Sequence, residues 1–369
     1  MALSATITLD AFTPEQLATL RLIRTDGVGP VTFHNLINTY GSAQKAIENA
    51  HGWQKKPTLC AADALQDELD AMNALGATYV FYFESAYPKT LGHLTDPPPV
   101  LCVQGNVELL QQPAVAIVGS RNASALGRRF SRTLAADLTK EGYAIISGLA
   151  RGIDTAAHEG ALSAGGATIG VLGGGLDYMY PPENEPLYKQ LAQKGLLIAE
   201  TPCGSPPTAA SFPRRNRLVA ALSKAVVVTE AAKKSGSLIT ARLAAELGRE
   251  VLAVPGHPSD PRAGGPNYLL KHGAGLLEDA RDVLHAIKPH GHKVRDDEPE
   301  LPLEENTQEA TPESKEDIIY SLLHSQGVDI DELVSQSGLD IQTVNTLLSE
   351  LELDGKIERL TGNKIAKVS

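Results

Sequence analysis

An apolar run stops abruptly in the segment Pro113-Ala114-Val115-Ala116-Ile117-Val118-Gly119-Ser120-Arg121. The apolar part has the composition of a buried strand, and the residues after Arg121 lead into a pattern typical of a helix. A strand that ends in glycine and serine before a helix can leave backbone N–H groups free, and the guanidinium of Arg121 adds positive charge beside them. We therefore expect a phosphate group to bind where this strand ends.

Apolar strands alternate with helical segments from this point to about residue 254. The further strands predicted are Tyr143–Ser147, Ala167–Leu172, Leu196–Glu200, Ala225–Thr229 and Glu250–Val254. The helices predicted are Ala125–Glu141, Asp154–Ala164, Glu185–Lys194, Asn216–Ser223 and Ser237–Leu247. Fully apolar strands joined by helices indicate an α/β fold with a parallel sheet covered on both faces. Two strand-like pieces, Thr78–Phe83 and Val100–Gln104, precede this region.

The flanking regions have different compositions. Residues 1–75 have apolar residues at helical spacing and predict a small helical domain before the sheet domain of residues 76–287. Residues 288–314 are rich in Pro, Glu, Asp and His and predict a flexible acidic linker. Residues 315–369 predict three helices and a hairpin, the outline of a winged helix.

A Gly-x-Gly turn in residues 25–30 separates two of the N-terminal helices. It is similar to the hairpin of helix-hairpin-helix modules, which can offer backbone N–H groups to DNA phosphates. A tight turn between packed helices needs the same glycines, so both interpretations stay open.

The charge of the chain is unevenly distributed. The formal net charge is −11, yet residues 110–290 carry 20 Lys and Arg against 15 Asp and Glu. A basic central region in an acidic surround favours a polyanion bound at one place.

The remaining composition predicts a cytoplasmic protein without a metal centre. Cys60, Cys102 and Cys203 form no Cys-x-x-Cys, so neither a zinc site nor a disulfide framework is indicated. Residues 1–12 lack the basic flank and apolar core of a signal peptide, and no apolar stretch is long enough to span a membrane.

Polar and basic residues follow nearly every strand, where parallel strands meet at one edge of the sheet. The candidate nucleic-acid contacts are Gly119, Ser120, Arg121, Gly148, Gly152, Phe212, Arg214, Arg215, Asn216, Arg217, Ser235, Gly236 and Thr240. An aromatic ring beside arginines can stack on a base while the guanidiniums hold phosphates, which favours single strands. In the alternative, Phe212 packs in the core and the arginines pair with Glu200 or Glu230.

Nucleotide cofactors and catalysis find less support. The segment after the first central strand is not Gly-x-Gly-x-x-Gly, and the chain lacks Gly-x-x-x-x-Gly-Lys-[Ser/Thr], so neither a dinucleotide nor a P-loop nucleotide site is expected. Asp154 and His158 lie one helical turn apart, and with Asp177, Glu200 and Glu230 they suggest a hydrolytic site. Because Asp154 also suits a helix N-cap, we expect a binding protein without cofactor rather than an enzyme.

These ordered motifs closely resemble the DNA-processing protein A (DprA/Smf) family over about residues 75–285. The matching segments are Gly119–Arg121, Ser147–Asp154, Gly173–Asp177, Tyr180-Pro181 with Asn184, Phe212–Arg217, Ser235–Ala241 and Pro255-Gly256. The resemblance implies an extended Rossmann-like domain that binds single-stranded DNA, forms a homodimer and helps to load the RecA recombinase during natural transformation.

The resemblance also implies roles for single residues. Arg121, Arg214, Arg215 and Arg217 would hold phosphates, Asn216 would brace its loop, and Phe212 would contact a base. The implied dimer contact lies in residues 267–273. Its candidate residues are Asn267, Leu269, Leu270 and His272.

Two other functions remain as alternatives. A nucleoside-monophosphate phosphoribohydrolase has a related fold, but its Pro-Gly-Gly-x-Gly-Thr-x-x-Glu loop corresponds here to Ser235–Arg242 without that Glu. A purely structural adaptor would act through the terminal modules. The predicted recognition helix Ile341–Leu353 contains no Lys or Arg, so we expect the C-terminal module to contact proteins or regulate rather than to read duplex DNA.

Overall fold

The computed structural model describes residues 6–53, 58–288, 319–320, 322–323, 328–360 and 364–367. The chain forms two compact units, Met1–His290 and Gly291–Ser369. The predicted acidic linker of residues 288–314 lies outside the described residues except for Lys288. The boundary predicted after residue 75 stays a prediction, since the helical region and the sheet share one compact unit.

The first unit contains eleven α-helices and nine strands among its described residues. The helices are α1 (Pro14–Ile23), α2 (Pro30–Tyr40), α3 (Ala43–Glu48), α4 (Gln66–Leu75), α5 (Ala125–Lys140), α6 (Ile153–Ser163), α7 (Glu185–Lys194), α8 (Ser211–Leu222), α9 (Gly236–Glu246), α10 (Gly264–Lys271) and α11 (Ala280–Ala286). The strands are β1 (Thr78–Phe81), β2 (Val100–Gly105), β3 (Ala114–Val118), β4 (Ala144–Ser147), β5 (Thr168–Val171), β6 (Leu196–Ala199), β7 (Ala225–Val228), β8 (Glu250–Ala253) and β9 (Gly275–Leu276).

The N-terminal helices pack around Leu22, Phe33 and Trp53. Helix α1 begins at a capping box, and the Gly-x-Gly turn joins it to α2, whose first residue is Pro30. Gly27 in this turn has φ of +78°, a conformation that favours glycine. The predicted helical character of this region is confirmed.

A nine-stranded sheet forms the centre of the unit, in the order β1-β2-β6-β5-β4-β3-β7-β8-β9. The strands from β6 to β9 in this order are parallel, whereas β2 runs antiparallel to both its neighbours. All five residues of β3 are buried, as are all four of β4, because helices cover both faces. The predicted α/β architecture and its strands are confirmed.

The chain adds strands first on one side of β3 and later on the other, so the strand order reverses there. From β3 the chain proceeds through β4 and β5 to β6 on one side, then returns to place β7 on the other side of β3. In open parallel sheets a crevice forms beyond the carboxyl ends of the strands at such a switch point, and ligands bind there.

Helix α8 begins at Ser211, five residues before the predicted start at Asn216. Phe212, Pro213 and Arg214, which the predicted start left outside the helix, belong to its first turn. Proline is compatible with the first helical turn, because the N–H that it lacks would have no partner there. Arg214, Arg215 and Arg217 therefore lie on a helix, and neighbouring residues of a helix point in different directions.

The second unit contains β10 (Val328–Asp329), α12 (Ile330–Ser337), α13 (Ile341–Leu353), β11 (Ile357–Leu360) and β12 (Lys364–Lys367). The strands among its described residues have the order β10-β12-β11, and Leu333, Val344 and Leu348 contribute to the core. Most of the first helix predicted here, residues 315–324, lies outside the described residues. The described elements agree with the winged-helix outline. No helix among the described residues of either unit is long and apolar enough to cross a membrane.

Candidate nucleic-acid interface

A cleft of about 390 Å³ opens at the carboxyl ends of β3, β4 and β7, at the switch point of the sheet. Ten of the thirteen predicted contact residues line it. They are Gly119, Ser120, Arg121, Gly148, Phe212, Arg215, Asn216, Ser235, Gly236 and Thr240. Segments distant in sequence therefore meet at one place, as the edge argument predicted.

Arg121 and Phe212 form a pair at the mouth of the cleft. The guanidinium carbon of the exposed Arg121 lies 5.4 Å from the centroid of the Phe212 ring. Phe212 lies in the first turn of α8, and its ring edge packs against Gly173, where an added Cβ would lie 3.2 Å from the ring. The cation–π contact holds the positive charge of Arg121 beside the cleft.

The N-terminal end of α9 supplies the opposite wall. The Ser235 hydroxyl accepts a hydrogen bond from the N–H of Ser237 at 3.3 Å, and Ser237 and Thr240 are buried along the cleft. The exposed Lys234 also lines the cleft. Lys234 is absent from the contacts predicted from the sequence, although its place directly before Ser235 gave a reason to include it.

Glu230 occupies the N-terminal end of α5. Its carboxylate accepts from the backbone N–H and the hydroxyl of Ser124, at 2.9 and 2.5 Å. Its carbonyl accepts from the N–H of Ser120 at 2.6 Å, and a Cβ on Gly127 would overlap the carboxylate. Of the N–H groups expected to be free after β3, that of Ser120 is therefore taken by the backbone carbonyl of Glu230, while the Glu230 carboxylate lies where an anion would bind at the start of α5.

The loop after β4 also uses its polar groups internally. The buried carboxylate of Asp154 accepts from the N–H of Gly148 at 3.1 Å, and burial raises the pKa of this carboxyl. A Cβ on Gly148 would overlap the guanidinium of Arg215. Gly152 has φ of +79° and packs against the carbonyl of Ser120 rather than lining the cleft.

Arg215 forms the floor of the cleft. Its buried guanidinium donates to the carbonyl of Val171 and to the amide oxygen of Asn216, the latter at 3.2 Å, and burial lowers its pKa. The Asn216 amide donates in turn to the carbonyl of Gly236 at 3.3 Å, which joins α8 to α9.

Arg214 and Arg217 lie away from the cleft. The buried Arg217 donates to both carboxylate oxygens of Glu200 at 2.7 Å, and its Nε lies 3.3 Å from Asp96. Arg214 is exposed, pairs with Glu200 at 3.0 Å and lines a neighbouring pocket of about 150 Å³. Both arginines therefore form ion pairs with Glu200, as in the alternative interpretation in which the arginines of this segment pair with acidic side chains.

The carboxylates and histidine proposed for hydrolysis do not meet in the cleft. His158 is fully buried, and its Nδ1 donates to the Thr168 hydroxyl at 2.7 Å, because that hydroxyl itself donates to the Ile145 carbonyl. Burial lowers the pKa of His158 to about 3. The residues that the structure describes also contain no His, Cys, Asp and Glu group suited to a metal ion.

The candidate dimer residues lie around α10. A groove of about 800 Å³ is lined by Leu269 and His272 but not by Leu270. Tyr268 also lines it, is 49% exposed and lies against His272, with ring centroids 4.1 Å apart. The Asn267 side chain bonds to the backbone of Gly256.

Three family models match the chain in succession. The model described as "DprA-like N-terminal HHH domain" matches residues 13–71. The model described as "DNA recombination-mediator protein A" matches residues 78–288, and the "DprA winged helix domain" matches residues 304–363.

Known proteins and structures are similar over most of the chain. Protein Smf of Escherichia coli K12 is 38% identical over 284 residues, 76% of this chain and 74% of that protein. The X-ray structure of DNA processing protein A from Streptococcus pneumoniae has a TM-score of 0.64 and 32% identity, covering 76% of this chain and 99% of that chain. The Helicobacter pylori structure, described as showing a single-stranded DNA binding mode, has a TM-score of 0.52 and 34% identity, covering 57% and 94%.

Replacement of Arg217 is expected to affect stability. Arg217→Ala leaves Glu200 and Asp96 without their buried cation, so the free energy of unfolding should fall by about 3 kcal/mol. Urea denaturation followed by the fluorescence of Trp53 measures it. Arg132→Ala, which breaks an exposed pair with Glu159, should cost less than about 1 kcal/mol. Equal losses in the two variants would contradict a structural role for Arg217.

The burial of His158 predicts a pH dependence of stability. Its folded pKa of about 3 lies below the ordinary value of 6.5, so the unfolded chain binds a proton first as the pH falls. The stabilisation is fully present above pH 6.5 and is lost between 6.5 and about 3, by up to roughly 1.4 kcal/mol per pH unit.

Denaturant unfolding of the wild type and of His158→Asn, measured between about pH 7 and pH 4.5, tests this dependence. The variant should lose less stability than the wild type over this interval. The exposed His257 offers the control His257→Asn, which should behave as the wild type. Parallel profiles for His158→Asn and the wild type would show that His158 is not buried in its neutral form.

Proposed function

The chain belongs to the DNA-processing protein A family, and we propose that it binds single-stranded DNA in the cleft at the carboxyl ends of β3 and β7. The matching family model and the similar proteins confirm the family resemblance that the motifs indicated. The observation that carries the proposal is the pairing of an exposed guanidinium with an aromatic ring, Arg121 over Phe212, at the cleft mouth.

The charge of the cleft suits a polyanion. Its lining includes the cations Arg121, Arg215 and Lys234 and one carboxylate, Asp154. That carboxylate is buried and accepts hydrogen bonds from two backbone N–H groups, so it is not directed at a ligand. Positive charge therefore dominates the surface that a phosphate would meet.

Aromatic rings beside the cations favour single strands over duplex. In a duplex the base faces are stacked on one another, whereas unpaired bases can stack on protein rings while cations hold the backbone. Phe212 and the exposed Tyr180 both stand at the cleft mouth, with ring centroids 5.6 Å apart. Binding of this kind depends weakly on base sequence.

In this proposal the protein is a cytoplasmic recombination mediator without enzymatic activity. It protects incoming single-stranded DNA during natural transformation and helps to load RecA recombinase onto it. The comparisons do not favour the phosphoribohydrolase alternative. Glu200 and Glu230, two of the carboxylates considered for hydrolysis, are engaged with arginines and with Ser124 respectively.

Removal of the Arg121 side chain should weaken the binding of every oligonucleotide to the same extent. Arg121→Ala is expected to raise the Kd for single-stranded DNA roughly tenfold and to lower the slope of log K against log salt by about one, because one phosphate contact is lost. Fluorescence anisotropy with single- and double-stranded oligonucleotides at several salt concentrations measures both.

The matched control is Arg281→Ala. Arg281 is an exposed arginine that pairs with Asp279 on α11 and does not line the cleft. Its loss should leave the Kd close to that of the wild type. If Arg121→Ala binds as tightly as Arg281→Ala does, the cleft is not the DNA site.

We also propose that two copies associate through the α10 groove. The short strand β9 lies at the edge of the sheet, and Leu276 on it is 51% exposed, close in sequence to the groove residues Gly273 and Ala274. An uncovered strand edge beside apolar side chains is a surface that a second copy can cover.

Tyr268→Glu should shift the protein from dimer to monomer, because a carboxylate would be buried at the centre of the contact. Light scattering after size-exclusion chromatography measures the mass. Leu126→Glu, on the exposed first turn of α5, should not change the mass. A monomeric wild type, or a Tyr268→Glu dimer, would contradict the proposed contact.

A further inference from the structure

The aromatic pair at the cleft mouth has unequal surroundings. Phe212 is half-buried, with the Arg121 guanidinium over its ring and Gly173 against its edge. The Tyr180 ring approaches it at 5.6 Å with the planes inclined by 44°. Neighbours on several sides thus leave little of the Phe212 surface for a nucleobase.

Tyr180 is in contrast open to solvent and held in position. It is 42% exposed, and its position is fixed through its backbone. The hydroxyl of the buried Tyr188 accepts from the N–H of Tyr180 at 3.3 Å and donates to its carbonyl at 2.7 Å. These bonds fix the backbone of Tyr180, and the contact with Phe212 restricts its ring, so stacking of a planar ligand costs less conformational entropy than on a free side chain.

Cations stand beside the Tyr180 ring. A small pocket next to the main cleft is lined by Arg121, Arg151, Tyr180, Phe212 and Arg215, among other residues. Arg151 is 57% exposed and pairs with Glu183 at 3.2 Å, an exposed pair that phosphate can replace at small cost. The ring therefore shares one pocket with guanidiniums that suit the phosphates of a bound nucleotide.

We propose that Tyr180 is the residue on which a base of the bound strand stacks, and that Phe212 acts as a positioning residue that holds Arg121. This inference rests on the proposed function and changes the part assigned to Phe212 from base contact to support. The ligand group is an unpaired nucleobase without a sequence requirement, since every base offers a planar face.

The experiment compares two oligonucleotides of equal length, oligothymidylate and a chain of abasic sites, by fluorescence anisotropy. Tyr180→Ala should raise the Kd for oligothymidylate roughly tenfold and leave the Kd for the abasic chain unchanged. Tyr180→Phe should bind both as the wild type does. Phe212→Ala should weaken the binding of both oligonucleotides to the same extent, because the loss of the ring releases Arg121 from its position.

The exposed Tyr178 on the same loop provides the matched control, and Tyr178→Ala should leave both Kd values unchanged. An equal loss for oligothymidylate and the abasic chain in Tyr180→Ala would show a merely structural role and overturn the inference. Unchanged binding of oligothymidylate by Tyr180→Ala would overturn it as well.

A fluorescent variant gives a readout that does not depend on the loss of a side chain. The chain has one tryptophan, the buried Trp53, so Tyr180→Trp adds a single exposed indole. Stacking predicts that oligothymidylate quenches the added emission and that the abasic chain does not. Equal quenching by both would contradict stacking. If the wild type binds neither oligonucleotide, the proposed function fails, whereas wild-type binding with unquenched emission in Tyr180→Trp rejects the stacking alone.

Discussion

The site depends on the carboxylate of Glu230 at the N-terminal end of α5. Backbone N–H groups at a helix start and the positive end of the helix dipole normally favour an anion from solution. Here a side chain from the segment after β7 supplies that anion and joins the loops after β3 and β7. Asp154 acts similarly on the loop after β4. The walls of the cleft are therefore fixed by internal carboxylates before any ligand arrives.

This arrangement determines which groups remain for DNA. Nucleotide-binding sheets of similar topology place phosphate on the first helix terminus after the switch-point strand. With that position filled, the groups directed to the cleft are side chains, above all Arg121 and Lys234, together with the hydroxyls at the start of α9. Side-chain cations and aromatic rings suit a strand whose bases vary, whereas backbone N–H groups at a helix start suit one defined phosphate group.

The sequence predicted the sheet well because β3, β4 and β7 are uninterrupted apolar runs and their connections have helical periodicity. The sequence also predicted that motifs distant in the chain lie close together, since the carboxyl ends of parallel strands meet at one edge of the sheet. The sequence did not show which arginines of α8 line the cleft and which form ion pairs away from it. Their partners are Glu200, Asp96 and Val171, and only the tertiary structure shows which guanidinium contacts each of them. The occupation of the α5 terminus by Glu230 was hidden for the same reason.

A crystal structure of the protein with a short oligothymidylate tests this account most directly. The account predicts a DNA phosphate within hydrogen-bond distance of the Arg121 guanidinium or the Lys234 ammonium, with the Glu230 carboxylate still bonded to Ser124. A phosphate seated on the backbone N–H groups at the start of α5, with Glu230 displaced, would contradict it.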